Sequence, residues 1–281
     1  MSRALAGLER HRGAALWIVA IYAVVTIRIH ELVNGLVRGA QGSLGPTLFF
    51  ALAWGLVALA GAALLWAIAR APRQQRARLA AWAALFAVAA LFAYFFLFTV
   101  VSEAVHYLQY AILTVLLFPL ARRIGAAMLW ATLIGVVDEA HQYWVLHPDW
   151  GVYLDWNDIV VNAIGALVGG LCLAIAVEQP SRRAPRRTLS AAFVLTAAIL
   201  MAGWALVATG KIALHAGASG ARPAGVWMLL DRGSGGGPFW MTAEWAGKRF
   251  HVLSAPAGAC LLAAFAFFAA AVDRVRPAES A

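Results

Sequence analysis

Acidic, amide and imidazole side chains recur in three short segments near the middle of the chain, each beside a long apolar run. The segments are Glu103-x-x-His106-x-x-x-Tyr110, Asp138-Glu139-Ala140-His141-Gln142 and Asp155-Trp156-Asn157-Asp158-x-x-x-Asn162. Residues three and four apart share one face of a helix, so the first and third segments each aim their polar groups in one direction. Carboxylates beside an imidazole are the groups from which general acid/base pairs are built. The three segments therefore predict one polar site.

The elements that must position these groups are membrane helices. Of 281 residues, 63% are hydrophobic and 12% charged, and the mean hydropathy is +0.78. A soluble domain carries about 25% charged residues, so this composition excludes a water-soluble globule. Runs of about 20 apolar residues span the hydrocarbon core as helices. There are eight such runs, at residues 14–34, 47–68, 79–101, 104–120, 126–146, 159–177, 189–209 and 252–272. The sequence predicts an all-α fold, a polytopic transmembrane bundle of about eight spans.

Short clusters of basic residues orient the predicted bundle. They lie at residues 3–12, 70–78, 122–123, 182–187 and 274–276, all on one side of an eight-span chain. The positive-inside rule makes that side cytoplasmic, so both termini are predicted inside and the three polar segments near the outer face. A cleaved signal peptide is the alternative for residues 13–27, but no clear small-residue cleavage site follows them.

These clusters lie between apolar runs rather than on one soluble face, so the net charge of +9 does not indicate a nucleic-acid partner. The expected location is a cell membrane, which the chain crosses several times, and a bacterial inner or plasma membrane fits best. Membrane lipid is the expected partner.

The connections between runs are short, with one exception. Residues 1–178 are predicted to form a six-span bundle, 179–188 a basic cytoplasmic linker, and 189–281 a two-span C-terminal part with a long extracytoplasmic loop at 210–251. A loop of this length is often functional. It either covers the outer surface, enters the interface or binds a partner, or it is a flexible connector with interfacial anchors.

A charge at the centre of a membrane costs on the order of 3 kcal/mol on insertion scales, so several carboxylates at this depth indicate a polar cavity. The candidate acid/base residues are His106, Glu139 and Asp158. The candidate substrate-binding residues are Gln142, Asn162, Tyr110, Glu103, Asp138 and Asp155. Two alternatives stay open: Asp138 or Asp155 is a helix N-cap or an interfacial residue, or the polar groups only join helices by hydrogen bonds.

Gly165 and Gly169 continue the helix face that carries Asp158 and Asn162. The Gly-x-x-x-Gly spacing lets membrane helices approach closely, so this stripe is predicted to supply helix packing as well as the polar head of the site. No close-spaced motif such as His-Glu-x-x-His is present, so neither a metal nor a cofactor is expected.

These motifs resemble the VanZ-like family of integral membrane proteins. Glu139-x-x-Gln142 and Asp158-x-x-x-Asn162-x-x-Gly165 are similar to the family's Glu-x-x-Gln and Asp-x-x-x-Asn-x-x-Gly signatures, and His106-x-x-x-Tyr110 is similar to its upstream element. The resemblance covers about residues 101–174.

One departure concerns the turn between these motifs. The family usually has a Pro-Gly-Arg-like turn there, whereas this chain has Pro148-Asp149-Trp150-Gly151 and no arginine. If that arginine binds an anion in relatives, the contact is lost here or comes from Arg222, Arg232, Lys248 or Arg249.

The resemblance implies a protein of the cell envelope with a link to resistance to the glycopeptide teicoplanin. It does not imply one biochemical activity. The first hypothesis is an enzyme acting on a lipid or lipid-linked envelope intermediate in the outer leaflet. In it, Glu139 or Asp158 is the general base or acid and His106 is its partner. Alternatively, the chain is a binding or transport module using the same groups, or a structural subunit whose polar groups hold helices together.

Overall fold

The computed structural model describes residues 3–28, 30–146, 154–177, 186–215, 222–230, 240–243 and 248–274. Helices dominate this part of the chain: α1 (Arg3–Arg10), α2 (Arg12–Arg28), α3 (His30–Leu44), α4 (Pro46–Arg70), α5 (Arg73–Phe92), α6 (Val105–Ala121), α7 (Ile124–His141), α8 (Trp156–Ala176), α9 (Arg186–Ala208) and α10 (Ala255–Arg274). One π-helical turn extends α5 (Ala93–Leu97), another extends α7 (Gln142–Leu146), and a 3₁₀ turn (Val101–Ala104) precedes α6.

Six helical segments of the described chain are long and apolar enough to cross a membrane: α4, α5 with its π-helical turn, α6 with part of its 3₁₀ turn, α8, most of α9, and α10. Two further predicted spans are helical but do not reach this length and apolarity. The described residues of α2 number 17 and stop before Ile29, which is not described, and α7 carries Asp138, Glu139 and His141 near its end. An all-α membrane bundle is therefore confirmed, while the number of eight spans and the cytoplasmic position of both termini stay predictions.

The first predicted run, residues 14–34, is helical on both sides of Ile29, which lies outside the described residues. The helix α2 ends at Arg28 and α3 begins at His30. The ionisable residues Arg28, His30 and Glu31 interrupt the apolar run at this point.

The helix α8 is the centre of the bundle, with residues buried along its whole length and contacts to α5, α6, α7 and α10. Its closest approach is to α6. A methyl group on Gly165 would lie 2.7 Å from the carbonyl oxygen of His106, and one on Gly169 would lie 2.5 Å from that of Ala111. The two glycines thus form a seam along which the backbones of α6 and α8 touch.

The helix α4 lies at the periphery, and none of its most apolar stretch is buried. Large side chains such as Leu56 and Leu59 are each 68% exposed. In a membrane such a surface faces lipid, which is as apolar as the side chains themselves. A methyl group on Gly55, in the middle of α4, would meet nothing within 4 Å.

The C-terminal helices pack on the rest of the bundle: α10 contacts α7 and α8, and α9 contacts α7. The predicted boundary at residues 179–188 falls largely outside the described residues, so the domain division stays a prediction. Between α9 and α10 lie two small sheets, which the all-α prediction did not include. In one, β1 (Ile212–Ala213) pairs in parallel with β2 (Met228–Leu229); in the other, β3 (Met241–Ala243) pairs antiparallel with β4 (Lys248–Phe250).

Candidate functional site

Four buried polar side chains meet where α6 and α8 begin and α7 ends. His106 Nδ1 lies 2.6 Å from Asn162 Oδ1, and the Tyr110 hydroxyl donates to Asp138 Oδ2 at 3.0 Å. The His106 and Tyr110 rings are nearly parallel, with centroids 6.2 Å apart. Each of the four residues is at most 2% exposed. We call His106, Tyr110, Asp138 and Asn162 the inner cluster.

Two atoms of the inner cluster have no hydrogen-bond partner among the described residues. They are the acceptor Asp138 Oδ1 and the donor Asn162 Nδ2, and both are buried. An unsatisfied buried polar group costs about 1–3 kcal/mol, and native proteins leave few of them. The inner cluster therefore offers one acceptor and one donor to a bound group.

Gly135 lets this cluster form. A methyl group at Gly135 would lie 2.9 Å from Asn162 Nδ2 and 3.0 Å from Tyr110 Cε1. Because Gly135 lies three residues before Asp138, the two share a face of α7. Sequence reasoning missed this residue, although its spacing from Asp138 was a signal that could have revealed it.

Further carboxyl groups lie next to the inner cluster and interact with its member Asp138 or with one another. The charges of Asp158, Asp138, Asp155 and Glu103 all act on Glu139. Those of Asp155 and Asp138 act on Asp158 as well. We call these five carboxylates the acidic cluster.

Gln142 joins the acidic cluster through its side-chain amide, which donates from Nε2 to Glu139 Oε1 at 3.3 Å. With it, the structure brings all nine predicted acid/base and substrate-binding residues into one place. Their individual roles stay predictions.

Two members of the acidic cluster also accept hydrogen bonds from backbone N–H groups at the start of a helix. Asp155 is the N-cap of α8, since its Oδ1 accepts from the Asn157 backbone N–H at 2.9 Å. The Glu103 carboxylate accepts from the backbone N–H groups of Thr99, at 2.9 and 3.1 Å, and Val100, at 3.1 Å. The N-cap alternative thus describes Asp155, whereas Asp138 lies in the last turn of α7.

Replacing Glu103 by alanine is expected to lower the free energy of unfolding by about 1 kcal/mol, because two backbone N–H groups lose their acceptor. Glu103→Gln keeps one side-chain oxygen and is expected to lose less. Thermal unfolding of the purified full chain in detergent measures both effects. Equal melting temperatures for Glu103→Ala and the unchanged chain contradict the capping role.

Asn157 was not among the predicted site residues, yet its side chain joins three segments. Its Nδ2 donates to the carbonyl oxygens of Leu97, at 3.1 Å, and His251, at 2.8 Å, and its Oδ1 accepts from the Leu253 N–H at 2.9 Å. These bonds connect the π-helical turn after α5, the start of α8 and the approach to α10. Asn157 stands between Asp155 and Asp158, but nothing in its spacing indicated these distant partners.

Described parts of the loop between α9 and α10 lie beside the acidic cluster. The Lys248 ammonium donates to the Tyr94 carbonyl at 2.8 Å and lies 4.9 Å from the centre of the Tyr94 ring. Burial lowers the pKa of Lys248, and the charge of Glu103 acts in the opposite direction. Another part of the loop contacts the π-helical turn after α7: the Leu229 N–H donates to the Tyr143 hydroxyl at 3.2 Å.

Residues 47–177 match the model of the VanZ/LLP1 family. The matched region is a little under half of the chain. The match confirms the VanZ-like resemblance and extends it upstream of residue 101, so the VanZ-like region begins with α4 and ends after α8. No curated protein and no solved structure matches the chain.

The turn where the VanZ-like motifs usually carry an arginine, Pro148–Gly151, lies outside the described residues, as does Arg232. The other three proposed substitutes for that arginine are described. Lys248 interacts with Glu103 of the acidic cluster, Arg249 lies 5.6 Å from the centre of the Trp240 ring, and Arg222 donates to the Trp227 carbonyl at 3.1 Å. Cations are therefore present at the same end of the VanZ-like bundle.

A cavity of about 260 Å³ lies on another face of α8, between α5 and α10. All its lining side chains are apolar, among them Phe92, Ile164 and Phe265, so it lacks polar groups that could orient a substrate. The inner and acidic clusters are for that reason the candidate site of the VanZ-like region. Within the described residues, no three His, Cys, Asp or Glu side chains are arranged to hold a metal ion.

Proposed function

We propose that this VanZ-like membrane protein binds the headgroup of a lipid or lipid-linked envelope intermediate at the outer membrane face. The observation that carries the proposal is the pair of buried atoms without a partner in the described chain, Asp138 Oδ1 and Asn162 Nδ2. Side chains that only join helices are expected to use up their hydrogen bonds on one another. A bound headgroup gives both atoms a partner.

The gradient of exposure supports entry from the outer end. Glu103, Gln142 and Asp158 are only half-buried, whereas the inner cluster is closed off. A headgroup therefore meets Glu103, Gln142 and Asp158 first and the inner cluster second. The carboxyl groups favour a cationic or hydroxyl-bearing end of the headgroup, because their oxygens accept hydrogen bonds from such groups.

Acid/base catalysis on the same substrate is the second candidate function. Glu139 favours it, because Gln142 holds its carboxylate by a hydrogen bond while the charge of Asp158 acts on it. His106 was predicted to assist Glu139 or Asp158, and its shortest described partner is instead Asn162. Binding is therefore the primary proposal and catalysis its extension.

Glu139→Gln and Asp158→Asn are expected to weaken lipid binding about tenfold while leaving the protein folded, because each change removes a charge but keeps the shape of the side chain. Lipid retention by the full chain in native mass spectrometry measures binding, and thermal unfolding checks the fold. Asp273→Asn is the matched control, since Asp273 accepts from the Gly125 and Ala126 N–H groups at the opposite end of the bundle.

Loss of stability without any change in lipid binding supports a structural subunit instead. In cells, envelope lipids and lipid-linked intermediates are compared between the intact chain and the Glu139→Gln form. Accumulation of an intermediate in the variant supports catalysis, and identical lipid profiles contradict it. Dependence on the proton gradient supports transport. Teicoplanin susceptibility of the same two strains tests the phenotype that the family resemblance implies.

A further inference from the structure

Two exposed cations converge on one exposed tryptophan in the loop between α9 and α10. The Lys211 ammonium lies 5.6 Å from the centre of the Trp227 ring, and Arg222 Nη1 donates to the Trp227 carbonyl at 3.1 Å. Trp227 is 55% exposed, and both cations are exposed as well. Within the described residues, neither contact places a carboxylate beside these charges, and both side chains are exposed.

Backbone geometry fixes this arrangement. The Trp227 N–H donates to the Lys211 carbonyl at 2.8 Å, next to the β1–β2 pairing. Between Arg222 and Trp227 the chain makes a tight turn, in which the Val226 N–H donates to the Pro223 carbonyl at 3.2 Å and Gly225 has φ +80°. Glycine adopts this φ without strain at the third position of such a turn. The turn thus brings the two cations together on Trp227.

This patch lies close to the acidic cluster along the chain's own contacts. Leu229, two residues after Trp227, bonds to the Tyr143 hydroxyl and to the Leu154 N–H. Tyr143 follows Gln142, and Leu154 precedes Asp155. Lys211 itself comes just after the spanning helix α9. Tryptophan with lysine or arginine at the end of a span is typical of the membrane interface, where lipid phosphates lie.

We infer that Lys211, Arg222 and Trp227 form a subsite for the phosphate group of an outer-leaflet lipid whose neutral or cationic end enters the acidic cluster. The inference rests on the proposed function and adds a direction to it. Arginine and lysine bind phosphate through charge-assisted hydrogen bonds, while the nearby carboxylates repel it. The two opposite charges orient the headgroup.

The test uses the full chain in detergent, with dihexanoyl phosphatidylglycerol and dihexanoyl phosphatidylcholine as probes. Native mass spectrometry gives the dissociation constant of the first bound lipid. The combined change Lys211→Gln with Arg222→Gln is expected to weaken that binding of phosphatidylglycerol about tenfold, because each cation near a phosphate surface contributes to affinity. Arg73→Gln with Arg78→Gln is the matched control, since it removes two exposed arginines of α5 from the other end of the bundle.

An unchanged dissociation constant in the Lys211/Arg222 variant overturns the inference. An equal loss of phosphatidylglycerol affinity in the Arg73/Arg78 control overturns it as well. If Glu139→Gln still weakens binding in that case, the proposed function survives without the phosphate subsite. If only the Lys211/Arg222 change weakens binding, the subsite stands and the role of the acidic cluster fails. Displacement of the lipid by millimolar inorganic phosphate contradicts a lipid as the source of the phosphate.

Discussion

Gly169→Ala is expected to destabilise the protein by about 1–3 kcal/mol, the usual effect of forcing an extra methyl group into a packed interface. The new Cβ would lie 2.5 Å from the Ala111 carbonyl oxygen and 2.8 Å from the Thr114 Cβ. Backbone atoms cannot rotate away as the end of a flexible side chain can. The helix α6 must therefore move away from α8 along the seam. Thermal unfolding of the full chain in detergent or nanodiscs measures the loss.

Gly55→Ala is the matched control for this change. Gly55 lies in the spanning helix α4, where a methyl group meets nothing within 4 Å. Alanine favours a helix over glycine by about 1 kcal/mol, so this variant is expected to be as stable as the unchanged protein or slightly more stable. Equal melting temperatures for the two variants, or a higher one for Gly169→Ala, contradict the close backbone packing of α6 and α8 at Gly169.

Asn157→Leu is expected to lower the free energy of unfolding by about 3 kcal/mol, from three lost side-chain hydrogen bonds and the buried backbone groups left without a partner. The affected groups are the carbonyls of Leu97 and His251 and the N–H of Leu253. The segment between β4 and α10 then loses its attachment to α8. Thermal unfolding measures the loss of stability. Limited proteolysis of the purified full chain measures the release of the segment.

Gln74→Leu makes a comparable change from amide to apolar side chain at an exposed position of α5. It is expected to leave both the melting temperature and the protease resistance unchanged. Asn157→Asp keeps an acceptor for the Leu253 N–H but no longer donates, so an intermediate loss is expected. If the Asn157→Leu protein resists protease as well as the Gln74→Leu protein, Asn157 does not hold the segment in place.

Hydropathy was enough to predict the helical bundle, because a span in lipid must satisfy its own backbone and be apolar along its length. The family match begins earlier than the polar motifs that first indicated it. The helices α4 and α5 contribute apolar surface to the VanZ-like region, and such surface carries little that distinguishes one family from another.

The spacing of polar residues predicted which side chains meet, because helix geometry places residues three and four apart on one face. His106, Tyr110 and Asn162 are brought together in this way. The partners of Asn157 could not be predicted, since they lie 60 to 96 residues away in sequence and all three are backbone groups. The small sheets were not predicted either, because their strands are two or three residues long, too short to show an alternating pattern.

The seam between α6 and α8 makes the size of the site a property of the backbone. Gly165 touches the carbonyl of His106, the same residue whose ring reaches Asn162 one turn earlier in α8. The distance between these helices therefore sets how far apart the polar groups of α6 and α8 stand. If the proposed function holds, a single added carbon at Gly165 changes the range of headgroups that bind, through a residue that touches none of them.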